Sequence, residues 1–271
     1  MVLDNCRQEW YDAEKRVMVT MVDVKNAAQS LSGGHLCGPA SAYVLSKALA
    51  AAALLGAECS TDDETLIIQM KCSGPIGGFN VECTAGGTLR GYTEKKILDD
   101  FDASGVFDDK KILGDRQIQI VRSVPGKILS QGISNSLDGY LAGSLQRKAC
   151  VFLEASVSDE VKVLEARGIM VEAMPDSDWS VSLGTEGVRK SIEKYTSGTL
   201  SSSPRNILEK MGLQQAELKK SLPLSFACRC SPERAAALIS SMGADERKDL
   251  PAKIDITCHM CGRVFTVSTG N

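Results

Sequence analysis

Aromatic residues make up only 5% of the 271 positions, too few for the stacking platform of a single-strand nucleic-acid binder. Positive charge is not in excess: 31 Lys and Arg stand against 34 Asp and Glu, a net charge of −3. No segment is strongly basic, so nucleic acid is not an expected partner. Histidine occurs twice, as His35 and His259. The most apolar stretch, residues 48–57, is ten residues long, against the roughly 20 needed to cross a bilayer. Residues 1–10 contain no apolar run and no cleavage signal, so neither secretion nor membrane insertion is expected. Glycine-rich turns at 73–78 and 85–87 lack the Gly-Lys-Ser/Thr of a phosphate loop, and no helical pattern follows them.

Cysteine is abundant, with ten copies. Without an export signal these read as reduced thiols in a cytoplasmic setting. Cys6, Cys37, Cys59, Cys72, Cys83 and Cys150 are scattered without ligand spacing and are expected to be small buried hydrophobes. The other four are grouped. Cys228 and Cys230 form a Cys-x-Cys pair, and Cys258 and Cys261 form a Cys-x-x-Cys pair, with 27 residues between the pairs. Two close pairs brought together by a fold supply the four tetrahedral corners that zinc prefers. Gly262, just after the second pair, suits a knuckle that needs positive φ. His259 lies inside the second pair, but a Cys₄ site needs no further donor. Both spacings also leave sulfurs near enough to bond each other, so the site is either a permanent structural zinc site or a thiol sensor that loses its metal on oxidation. His35 and Cys37 are two residues apart, with no third orienting group, and read as a loop histidine and a helix-start thiol. The paired acids Asp62-Asp63 and Asp108-Asp109 read as solvated charge. No enzyme active site is expected.

Patterning suggests an α+β chain. Residues 16–23 alternate as a strand, and a glycine-containing loop around 32–35 follows. Pro39 opens a helix that runs to about residue 57 and is apolar on all sides, as a centrally buried helix would be. Strands at 65–72, 79–84 and 88–93, joined by glycine turns, imply an antiparallel sheet. Residues 94–114 read as loop, 115–123 as strand, and 128–145 as helix through Leu129, Ile133, Leu137, Tyr140 and Leu141. Residues 149–157 and 168–174 read as a strand hairpin, and Pro175 closes an N-terminal α/β domain spanning 1–175. Residues 176–222 change texture and read as a helical linker of limited apolar surface, with helices near 186–195 and 204–211, the second capped by Ser203. Residues 223–271 form a small zinc-binding domain. Its helix starts at Ser231-Pro232 and stops at Gly243, and its two short strands flank the second knuckle. A core that small is marginal without its metal.

Several segments together resemble the redox-regulated holdase chaperones of the heat-shock protein 33 family. They are Gly38-Pro39 with the following alanine-rich helix, Gly74-Pro75-Ile76-Gly77-Gly78, Leu89-Arg90-Gly91-Tyr92, residues 140–146, and residues 226–234 and 256–261 around the cysteine pairs. The Cys-x-Cys then Cys-x-x-Cys order is the most specific of these. The resemblance implies an N-terminal α/β domain, a metastable linker and a C-terminal zinc domain. It implies that the reduced, zinc-bound chain is inactive, with Cys228, Cys230, Cys258 and Cys261 as metal ligands. Oxidation would close Cys228–Cys230 and Cys258–Cys261 disulfides, release the zinc and unfold the zinc domain and linker. The exposed surface would bind unfolding client proteins without ATP, with a homodimer as a further possible partner state. Two other readings stay open: a thiol–disulfide oxidoreductase using Cys258 and Cys261, and an interaction module whose zinc is purely structural.

Overall fold

The computed structural model describes residues 3–178, 203–243, 246–247 and 250–269. The helix expected near 186–195 lies outside the described residues.

Two β-layers enclose one helix. Strand β1 (Cys6–Asp12) pairs antiparallel with β2 (Val17–Asp23), whose burial is nearly continuous. Helix α1 (Lys25–Gly34) and helix α2 (Pro39–Leu55) follow. Pro39 fills the first turn of α2, where its missing N–H costs nothing. Asp102, in a short helix far along the chain, accepts from the Ala40 amide at 2.8 Å and so caps α2. Fifteen of the 17 residues of α2 are buried, because the helix lies between two sheets and packs on both. The helical stretch Pro39–Glu58 is long and apolar enough to cross a membrane, but 83% of its apolar window is buried here. That longer span corrects the ten-residue limit read from composition, and burial identifies it as the core helix.

Strands β3 (Thr65–Cys72), β4 (Gly78–Thr84) and β5 (Thr88–Thr93) form the expected antiparallel meander. The charged stretch after it, expected as loop, holds two short helices, α3 (Asp99–Ser104) and α4 (Asp109–Leu113), the latter capped by the Asp108 carboxylate. Next come β6 (Arg116–Val124) and β7 (Lys127–Ser134), and only then a helix, α5 (Leu137–Gly143). The helix expected over 128–145 is therefore a strand followed by a shorter helix. Apolar residues on two different elements imitated one helical stripe, and the break falls at Asn135, with Ser136 capping α5.

Strand β8 (Lys148–Val157) and β9 (Val163–Ala173) make the expected hairpin, with β9 pairing on β2. Helix α6 (Pro204–Lys210) is capped by Ser203, as expected, and buries Ile207 and Leu208 in one cluster with Trp10 and Val19. Strand β10 (Glu217–Pro223) then pairs on β1. The first sheet has the order β10-β1-β2-β9-β8. The second has the order β11-β5-β4-β3-β6-β7, where β11 (Ser225–Phe226) joins β5 in parallel. Helix α7 (Pro232–Ser240) and the hairpin of β12 (Lys253–Thr257) and β13 (Val264–Ser268) complete the chain. The fold is thus α+β, with antiparallel sheets, a long buried helix and a small C-terminal cysteine module.

Candidate metal centre

Backbone pairing delivers each cysteine pair. Strand β11 lies along Thr88 and Leu89 of β5, and the Ala227 amide donates to the Leu89 carbonyl at 3.2 Å. Cys228 and Cys230 follow at once. Ser231 then turns the chain into α7 by accepting from the Arg234 amide at 3.2 Å, and the Arg234 guanidinium returns a 2.7 Å bond to the Arg229 carbonyl. The second pair occupies the turn of the β12–β13 hairpin. There the Cys258 carbonyl accepts from the Gly262 amide at 2.8 Å, and the Cys258 amide donates to the Arg263 carbonyl at 2.8 Å. Gly262 has φ of 75°, the left-handed geometry its position suggested.

The four sulfurs meet. Cys228 Sγ is 3.8 Å from Cys258 Sγ, and Cys230 Sγ is 3.5 Å from Cys261 Sγ. All four lie within 4.8 Å of one another. A tetrahedral zinc site with Zn–S bonds of about 2.3 Å has S–S edges of about 3.8 Å, so the donor set fits a single metal ion. His259 is not part of this group; its ring stands edge-on to Tyr92 at 4.0 Å.

Electrostatics single out one of the four, Cys228. Burial pushes Cys228 up, but hydrogen bonds from the Cys230 amide and thiol and from Arg90 outweigh it and bring the thiol down to about 7. Cys230 and Cys261 are raised, first by burial. Burial likewise raises all six scattered thiols, Cys6, Cys37, Cys59, Cys72, Cys83 and Cys150. Cys37, Cys59, Cys83 and Cys150 are buried, as expected, whereas Cys6 and Cys72 are half-buried. A thiol of high pKa carries little thiolate and reacts slowly.

The centre sits on a seam. Among the described residues, the module's own core is Ala235, Ile239 and Val267 with a partly buried rim. Cys261 instead belongs to the main core built around α2, and Cys228, Cys230 and Cys258 pack against that core. The Gly91 amide donates to the Met260 carbonyl at 3.1 Å, and a His35 ring nitrogen lies 2.9 Å from the Gly91 carbonyl. Burial and then Lys96 lower the His35 pKa, while bonds to the Gly91 and Met260 carbonyls oppose this. His35, read from sequence as a loop histidine, is thus a contact between the end of α1 and the second knuckle. Arg90 enters the sequence reading only as part of a motif, yet its Nη1 lies 3.9 Å from Cys228 Sγ. Neither role has a sequence signal, since both partners are far away in the chain.

Comparison with known proteins agrees with this geometry. The family model described as Hsp33 protein matches residues 8–268. The "33 kDa chaperonin" of a Geobacillus strain is 28% identical over 246 residues, 85% of this chain and 83% of its own. That of a Thermus thermophilus strain is 26% identical over 257 residues, 86% of this chain and 75% of its own. A crystal structure of the Hsp33 homologue of Thermotoga maritima superposes with a TM-score of 0.81 at 19% identity, over 98% of this chain and 95% of that one. The match of the family model across nearly the whole sequence places this chain in the Hsp33 family of chaperones.

Proposed function

We propose that this chain is a cytoplasmic, ATP-independent holdase for unfolding proteins, kept inactive while reduced and switched on by oxidation. The observation that carries the reading is the convergence of two separate cysteine pairs on one metal-sized site at the seam with the first domain. Zinc would be held by Cys228, Cys230, Cys258 and Cys261, and when bound it would keep them as thiolates and lend its binding energy to folding. The module behind them has too small a core to stand on its own.

Oxidation acts on the sulfurs. One hydrogen peroxide takes two electrons from the Cys228 and Cys230 thiolates and two protons from solvent, giving one disulfide and two waters. A second does the same for Cys258 and Cys261. Four thiolates thus consume two peroxides and four protons, and none remains to ligate a metal. The knuckle then loses the turn that docks it on Gly91 and His35, and the apolar surface beneath is freed for clients. Residues 1–175, 176–222 and 223–271 serve in this reading as binding core, linker and switch, and the opened form is free to pair as a homodimer.

The test is an aggregation assay on a chemically unfolded client, run beside zinc release and thiol counting. Peroxide-treated protein is expected to suppress aggregation, with zinc leaving as four thiols disappear. Equal protection by reduced and oxidised protein would reject redox control. Catalytic turnover of a disulfide substrate by a chain carrying no zinc would favour the oxidoreductase reading, and zinc that stays bound under mild peroxide would favour a purely structural site.

A further inference from the structure

The C-terminal segment supplies the four sulfurs, but the first domain supplies part of what surrounds them. Four thiolates around a divalent ion carry a surplus charge of about −2, and such sites depend on hydrogen-bond donors to sulfur for affinity. A guanidinium reaches this cluster from β5: Arg90 Nη1 points at Cys228 Sγ at 3.9 Å. Its orientation is fixed by the sheet. Arg90 faces Glu82 across the β4–β5 ladder, and Nε and Nη2 both bond Glu82 Oε2, at 2.7 and 2.6 Å. Both side chains are largely buried, at 18% and 12% exposure. The same Glu82 oxygen holds Arg229, the residue between Cys228 and Cys230, at 3.3 Å. Glu82 therefore clamps Arg90 on one side and the first knuckle on the other, next to the parallel β11–β5 pairing.

We propose that Arg90 is an outer-sphere partner of the metal centre, contributed by the first domain, and that metal affinity consequently depends on the module being docked. This rests on the metal-binding reading above. Arg90 is a positioning residue: it touches a ligand sulfur, not the ion. The guanidinium can bond Cys228 only while β11 lies on β5. Docking and metal binding therefore strengthen each other by one common factor. Anything that lifts the module off the first domain loosens the metal, even before a sulfur is oxidised.

The experiment titrates zinc-loaded, reduced, full-length protein with a chromophoric zinc chelator. Wild type must first carry one zinc per chain; if it carries none, the underlying metal reading fails and Arg90 is not at issue. With zinc present, Arg90→Met is expected to release it at about 10- to 100-fold lower chelator concentration. Arg90→Lys, which keeps the charge but not the fork, is expected to fall between the two. Glu82→Gln, which frees Arg90 from its clamp, is expected to shift release in the same direction. Thermal unfolding of each variant is followed in parallel. Lower thermal stability with an unchanged chelator midpoint would make Arg90 a structural salt bridge only and overturn the proposal. Should Arg90→Met fail to fold, Arg90→Lys and Glu82→Gln read the same midpoint, and wild-type values for both would overturn it equally.

Discussion

Gly262 and Gly34 meet backbone to backbone. A Cβ on Gly262 would fall inside the contact shell of the Gly34 carbonyl oxygen, and a Cβ on Gly34 would lie 2.6 Å from the Cys261 carbonyl oxygen. One glycine ends α1 and the other follows the last cysteine, so the second knuckle docks through a gap that has no room for a side chain.

Gly262→Ala should therefore unseat the knuckle. It meets the overlap with Gly34 and also forces a left-handed backbone on an L-residue, which alone costs roughly 1–2 kcal/mol. Faster hydrogen exchange at the Gly91 amide is the expected result, with β3 and β4 unchanged. Wild-type protection at Gly91 would show that the contact does not hold the module down.

Metal removal should act locally as well. Among the described residues the module core is Ala235, Ile239 and Val267, while structural zinc sites contribute on the order of 10 kcal/mol of apparent folding energy. Chelation of the reduced chain is expected to abolish amide protection at Ile254 and Ile256 in β12. Ile68 and Val81, fully buried in the main core, should keep theirs. Protection of β12 in metal-free protein would refute the dependence. Cys261→Ser, which removes the most buried ligand, should copy the chelated state without chelator.

The parts of this architecture that were readable are those whose signals are local. Pro39 and an all-apolar run marked α2, glycine turns marked β3 to β5, and Ser203 and Ser231 marked two helix starts that the structure caps with those hydroxyls. The two cysteine pairs named the four sulfurs that the fold gathers. The parts that escaped depend on distant partners. Strand β10 is a solvated edge with two lysines, and nothing in residues 217–223 announces that β1 lies opposite. Strand β7 is also an edge, with Ile128 and Ile133 exposed, so its apolar residues lack the alternation of a half-buried strand. His35 and Arg90 could not be assigned to the metal centre because their partners, Met260 and Cys228, come from the far end of the chain.

Alkaline pH should expose the buried thiol Cys83. Burial pushes it up to about 12 from an ordinary value of 9.0. The unfolded chain ionises this thiol above pH 9 while the folded chain keeps it neutral. Its contribution is therefore complete below that pH and is lost between about 9 and 12, at about 1.4 kcal/mol per pH unit. Denaturant midpoints measured between pH 8 and 10.5 should fall less steeply in Cys83→Ala than in wild type. Parallel slopes would show that Cys83 titrates alike in both states. Iodoacetamide at pH 8 should leave Cys83 unmodified in the native protein.

Arg147 joins three elements, and removing it should be costly for a reason other than lost attraction. Its guanidinium takes Glu172 of β9 in a two-pronged bond and reaches Glu58, just after α2, with its remaining nitrogen. Glu172 is only 7% exposed, against 25% for Arg147. Arg147→Met would leave that carboxylate buried beside an apolar side chain, a change that costs about 3–5 kcal/mol when one partner of a buried pair is removed. The double variant Arg147→Met with Glu172→Gln removes the stranded charge too and should recover most of the loss. Urea midpoints of the two single variants and the double give the coupling directly. If the double variant is as unstable as the sum of the singles, the two residues do not act as a pair. The anchoring of the end of α2 to β9 would then rest on apolar packing around Leu54, Leu55, Ala166 and Met170, which are buried in one core cluster.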